Sequence, residues 1–315
     1  MDLPNEEALR WIVQTYARLR AGHGEGIGQP ELVQPTGAFF SDEFRGDAPS
    51  VARLLRRMID LAPLSTELGV ELAFIAPDEQ AAGGCGSGAC GSPGGGPSAI
   101  PVQELENGYR VVVSTNDVGN AEVLTTALAR SVGSLVLHEV SEIADAESSE
   151  MAAVACGFGV LLLNGAAVWA KSCGGLRVAQ ATARPVEEIA VALALFGSVH
   201  GTRPSLLGKH LGVTQRAALD AAQDWVDSNP SIAEALRDAP HRLATGVLEF
   251  EPTRGVLGQW WHRRKLEQGL RAAPSAAAAT SAMSDDRRRR LQEVRALMDG
   301  ADDEPLTGGA PLAED

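Results

Sequence analysis

The sequence predicts an α+β protein in which a small, mostly antiparallel sheet or hairpin packs on a predominantly helical bundle. Most of the chain carries apolar residues at the three- and four-residue intervals of amphipathic helices. Gly69–Ala76 has instead an alternating pattern that is typical of a strand. Asn107-Gly108 separates two further apolar runs, and Asn-Gly is a strong signal for a tight hairpin turn.

The N-terminal part alternates between helical and non-helical segments. Glu6–Arg20 and Ser50–Leu61 each carry an apolar stripe and are predicted helices. Between them, prolines and glycines in and around Leu32–Asp47 predict extended or turn structure, with its phenylalanines anchored in the core.

A glycine-rich loop, residues 77–99, precedes the predicted hairpin of Ile100–Leu105 and Tyr109–Ser114. The loop has too little side chain to bury, so we expect it to be mobile. Cys85 and Cys90 lie in it, and their spacing favours loop thiols or an occasional disulfide over a zinc site.

The rest of the predicted bundle is helical. Asn120 is a suitable N-cap for a central helix that runs toward His138. Met151–Ala170 is apolar on all sides and predicts a buried helix. Four further helices are predicted, at Val186–Gly201, Ser205–Leu211, Thr214–Ser228 and Ser231–Arg237. A proline directly precedes three of them: Pro185, Pro204 and Pro230.

The domain organisation follows from changes in composition. Residues 1–250 are predicted to form one domain. Residues 251–273 form a basic segment with two tryptophans, for which we favour packing onto the domain over ligand binding. Residues 274–315 are predicted to be a linker, a short exposed helix and a disordered acidic tail.

Composition also limits the function. The net charge of −14 argues against nucleic-acid binding, which needs a basic surface. The longest apolar run, Met151–Leu163, is too short to cross a bilayer, and Met1–Glu7 has no basic region of a secretory signal. We therefore expect a cytoplasmic protein without a membrane span.

The densest group of possible metal ligands lies between Ser131 and Leu163. His138 and Glu142 are four residues apart and share one face of a helix, with Glu139 beside them. A zinc-peptidase helix places two ligands at this spacing and a glutamate next to the first as general base. The pattern is equally that of an ordinary amphipathic helix with its acidic stripe in water, and spacing alone favours this second interpretation.

A metal site would require the chain to turn back after His138. Glu147 and Glu150 follow too closely to reach His138 from an unbroken helix. A break between Asp145 and Ser149, with Ser148 as the N-cap of a new helix, would bring one of them toward it.

Three stretches resemble, in order, an uncharacterised bacterial family of zincin-like proteins. They are LVQPTGAFFSDEF, AEVLTTALARSVGSLVLHE, and SSEMAAVACGFGVLLLNGA followed by VEEIAVALALFGSVHG. The resemblance implies a zincin-like fold and a zinc site with His138 as first ligand and Glu139 as general base. Glu142 stands where the family has its second histidine, and Glu147 or Glu150 stands near its downstream acidic ligand.

Two functions follow from this resemblance. The first is a non-catalytic or degenerate relative of zinc metallopeptidases, a binding or structural module with a protein or peptide partner; we favour it because the second histidine is absent. The second is an active metal-dependent peptidase. A carboxylate-bridged iron site is disfavoured, because it needs Glu-x-x-His pairs from two helices.

Overall fold

A pair of antiparallel helices lies at the centre of the fold, with a small sheet on one side and further helices on the other. The computed structural model describes residues 3–23, 29–65, 68–75, 102–140, 142–172, 175–246 and 248–251. Nearly all of the predicted glycine-rich loop (77–99, with Cys85 and Cys90), the basic segment (251–273) and the tail (274–315) lie outside these residues.

The described residues form ten α-helices and five strands. Their order is α1 (Glu6–His23), α2 (Ala48–Leu61), β1 (Val70–Ile75), β2 (Val102–Leu105), β3 (Gly108–Ser114), α3 (Ala121–Glu139), α4 (Ala146–Ala153), α5 (Gly159–Gly165), β4 (Val168–Ser172), β5 (Gly175–Ala179), α6 (Val186–His200), α7 (Pro204–Leu207), α8 (Val213–Ser228), α9 (Pro230–Asp238) and α10 (Pro240–Thr245). This confirms the predicted α+β class.

The three-stranded sheet has the order β1-β3-β2. Strands β2 and β3 form the predicted antiparallel hairpin, in which Leu105 pairs with Gly108 across the tight turn. Gly108 has a φ of 141°, a conformation that side chains with a Cβ rarely adopt. Strand β1 runs parallel to β3, with Val70 opposite Tyr109, and α3 packs on β3.

The central helices α3 and α4 form a closely packed antiparallel hairpin. Asn120 caps α3, as predicted, by accepting hydrogen bonds from the N–H groups of Glu122 and Val123. Gly133 of α3 lies against Ser149 and Ala153 of α4, where an added Cβ would overlap the Ser149 carbonyl oxygen. The two backbones therefore approach as closely as only glycine permits.

The predicted helix Met151–Ala170 is wrong as one continuous element. A π-helical turn, Val154–Phe158, separates α4 from α5, and Gly157 within it has a φ of 95°. The Gly157 carbonyl accepts a hydrogen bond from the Val33 N–H (3.0 Å), so the Leu32–Asp47 segment is attached to this kink. After α5 the chain forms the β4–β5 hairpin, which the apolar pattern did not predict.

This apolar stretch lies in the core. Ala146–Gly165 is long and apolar enough to cross a membrane, but 83% of that stretch is buried inside the fold, as in the core helix of a soluble protein. Helix α6 packs against α5, α8 and α1 around it. Cys156 is a free, buried thiol, as expected of a small core residue.

We predict that Gly133→Ala destabilises the protein by about 1–3 kcal/mol or more, because the added methyl group would force α3 and α4 apart. Gly22→Ala is the matched control. Gly22 lies in α1 with no atom within 4 Å of an added Cβ, so its substitution should change stability by at most about 1 kcal/mol. Urea unfolding of both variants measures the difference, and equal effects would contradict the close packing of α3 on α4.

Candidate functional site

The chain turns back after His138, as a metal site would require, but earlier than predicted. Helix α3 ends at Glu139 and α4 begins at Ala146, so the break precedes the predicted Asp145–Ser149 segment. Asp145, not Ser148, is the N-cap, and its carboxylate accepts the Ser148 N–H (2.7 Å). Ile143, in the turn between the two helices, is 80% exposed.

His138 lies at the end of α3 and is half-buried against the sheet. Its ring packs on Tyr109 of β3, with the ring centroids 5.1 Å apart. Glu139, the predicted general base, points elsewhere: its carboxylate accepts the Ser65 N–H (2.8 Å) just after α2. Glu142 is exposed in the turn. These three side chains thus have different surroundings.

Glu147 and Glu150 both bind residues of the turn that precedes α6. The Glu147 carboxylate forms an ion pair with Arg184. The Arg184 guanidinium also pairs with Glu188 (2.9 Å) and lies 3.9 Å from the centre of the Trp11 ring, a cation–π distance. The two acids therefore hold Ala183 and Arg184 in place, since Glu150 binds the backbone of the same two residues.

Glu150 is completely buried. Its carboxylate accepts hydrogen bonds from the N–H groups of Ala183 (2.6 Å) and Arg184 (3.0 Å), and it lies 3.9 Å from the Arg130 guanidinium of α3. Burial raises the pKa of Glu150 to about 7; the two N–H donors and Arg130 oppose this shift only in part.

Arg130 and Ser134 are the site residues that sequence reasoning missed. They are four residues apart on α3, and both are buried. Arg130 donates a long hydrogen bond to the Ala181 carbonyl (3.4 Å), while its Nε and the Ser134 hydroxyl have no hydrogen-bond partner among the described residues. The available signal was a lone arginine inside an otherwise apolar helix, because a buried arginine needs an anionic partner.

The residues predicted to bind zinc do not converge in the described part of the chain. Glu150 faces Arg130, which precedes His138 by eight residues, or about 12 Å along the helix. No three His, Cys, Asp or Glu side chains among the described residues are grouped as a metal site would need. The zinc site at His138, Glu142 and Glu147 or Glu150 stays a prediction that these contacts do not support.

Comparison of the chain with protein-family models, with curated proteins and with solved structures finds no match.

We predict that the stability of the protein falls between about pH 4.5 and pH 7 through Glu150. Its carboxyl keeps its proton up to about pH 7 in the folded state, whereas in the unfolded chain it ionises near 4.5, the ordinary pKa of a glutamate. The folded state binds more protons in this window, so the contribution of Glu150, on the order of 3 kcal/mol, is present below the window and lost above it.

Glu150→Gln should remove this dependence on pH, measured as the free energy of unfolding at several pH values in urea. The control is Glu234→Gln on α9, an exposed glutamate that is not among the charges acting on Glu150 and whose substitution should keep the wild-type slope. A Glu150→Gln profile parallel to the wild type would show that Glu150 does not titrate in this range.

Proposed function

We propose that this chain is a non-catalytic relative of zincin-type metallopeptidases that acts as a binding or structural module in the cytoplasm. One observation supports the loss of catalysis. The buried acid of the second helix, Glu150, faces a guanidinium on the first helix instead of an imidazole.

The spacing around Arg130 strengthens this argument. A zincin helix presents two histidines four residues apart, and an acidic ligand from a later segment completes the site. Here the α3 residue that meets the buried acid is Arg130, and Ser134 lies one turn further along the same helix. We infer that residues 130–134, Arg-Ser-Val-Gly-Ser, occupy the place of a His-Glu-x-x-His motif, eight residues before the pattern at His138.

The chemistry of these side chains opposes metal-dependent hydrolysis. A guanidinium keeps its positive charge and has no lone pair for a metal. Its charge favours the ionised form of Glu150, as a bound cation would, although burial still raises the pKa of that carboxyl to about 7. Ser131, at the position of the general base, uses its hydroxyl to donate to the Ala127 carbonyl (2.9 Å). We infer that the Arg130 guanidinium takes the place of a metal ion beside Glu150.

We expect protein purified without added metal, and protein loaded with zinc and then gel-filtered, to hold far less than about one equivalent of zinc. A chelator should leave the melting temperature unchanged, because no metal contributes to folding. If the wild-type protein held about one equivalent of zinc and His138→Ala did not, the result would contradict this function. It would favour the alternative, an active peptidase with Glu139 as base.

The position of the degenerate site can be tested by restoring ligands. Arg130→His/Ser134→His should bind about one equivalent of zinc, and adding Glu150→Gln should abolish the binding. The matched control is Glu142→His, which completes the motif at 138–142 in the sequence but should bind none, because α3 ends at Glu139 and position 142 does not share a helix face with His138. Zinc binding by Glu142→His alone would place the degenerate site at His138 instead.

A further inference from the structure

A cavity of about 320 Å³ lies between the Leu32–Asp47 segment, α2 and the start of α3. Its walls are mostly apolar, with Phe40, Phe44, Leu54 and Leu124 among the lining residues. The volume is at the lower end of the range for small-molecule sites, which are typically apolar with a few polar groups that orient the ligand. Phe44 is 42% exposed at this cavity although it is a large aromatic residue.

The segment that forms one wall has defined backbone contacts. Its start is attached to the Gly157 carbonyl through Val33, and the N–H groups of Phe39 and Phe40 both donate to the Thr36 carbonyl. At its end Asp47 caps α2 in a reciprocal capping box with Ser50. The cavity thus lies between elements that are held at both ends, which is the condition for a pre-formed site.

Two arginines of α2 line the same cavity. Arg53 and Arg57 are four residues apart, so they lie on one face of the helix. Arg57 donates only its Nε–H, to the Phe39 carbonyl (2.9 Å), and Arg53 makes no hydrogen bond or ion pair with the described residues. Their remaining N–H groups are available to bind an anion, and arginine favours carboxylate and phosphate geometry.

Two acids also line the cavity, and their negative charges offset part of the positive charge of Arg53 and Arg57. Glu43 is neutralised by Arg45, whose guanidinium lies 2.8 Å from its carboxylate. Asp42 is exposed and has no ion pair within the described ranges. Asp47, the N-cap of α2, also acts electrostatically on Arg53, so Asp42 and Asp47 together offset the charge of the two arginines. The preference for an anion therefore rests on the guanidinium N–H groups of Arg53 and Arg57, which form no ion pair with the described residues.

We propose that this cavity binds a small amphiphilic carboxylate, with its apolar tail against Phe40, Leu54 and Leu124 and its head group on Arg53 and Arg57. The ligand class deepens the proposed binding-module function and rests on it. Measurement of zinc content does not involve these residues, so failure of the two proposals can be distinguished.

Isothermal titration with decanoate, below its micellar concentration, tests the ligand class. Decanoate should bind the full-length protein at least about tenfold more tightly than decyltrimethylammonium, which has the same tail and the opposite charge. Equal or tighter binding of the cation would overturn the assignment, because it would mean that Asp42 and Glu43 determine the head-group preference.

Variants of α2 test the residues. Arg53→Gln/Arg57→Gln should weaken decanoate binding about tenfold or more, whereas Arg56→Gln should not; Arg56 is exposed on the same helix and does not line the cavity. Thr125→Trp should fill the cavity and abolish binding of both probes. Unchanged decanoate binding in either the double arginine variant or the Thr125 variant, with a wild-type melting curve, would overturn the proposal.

Discussion

The central part of the fold depends on the contacts that the buried side chain of Glu150 makes. A carboxylate removed from water must be hydrogen-bonded and close to a positive charge, or it keeps its proton. Glu150 meets this requirement only in part: it binds two backbone N–H groups and lies near Arg130, but burial still raises its pKa to about 7. These contacts join α3, α4 and the turn before α6, so one side chain connects three elements of the fold.

Close backbone approach makes this arrangement possible. Gly133 lets α4 lie directly on α3. Gly165 lets α5 lie close to Thr126 of α3, whose hydroxyl donates a hydrogen bond to the Leu161 carbonyl of α5. At Gly157 the positive φ turns the chain and offers a carbonyl to Val33. The same glycine-dependent contacts therefore position both the buried charge pair and the segment that forms the cavity beside α2.

The predicted site illustrates what spacing can and cannot establish. The intervals correctly indicated that His138 and Glu139 lie on a helix and that a second helix starts soon afterwards. The prediction that Glu142 shares that helix with His138 was wrong, because α3 ends at Glu139. The intervals did not indicate what each side chain would meet: Ser65 for Glu139, Arg184 for Glu147 and the turn at Ala183 for Glu150. Periodicity identifies residues on one face of one element, but the partner of that face comes from a residue that is distant in the chain. Asp145 and Ser148 are both good capping residues, and the sequence pattern alone does not distinguish them; in the structure Asp145 is the N-cap.

The sequence by itself determined the α+β class, the hairpin at Asn107-Gly108 and the capped helix from Asn120, because turn chemistry and apolar periodicity act over a few neighbouring residues. The lone arginine in this apolar helix, Arg130, was a signal that the sequence analysis did not use. Only the tertiary structure decided that this charge faces Glu150, that β1 joins the sheet in parallel, and that Met151–Ala170 is interrupted at Gly157. Each of these outcomes depends on contacts between residues far apart in the chain. Such contacts stabilise the protein only after folding has brought both partners together.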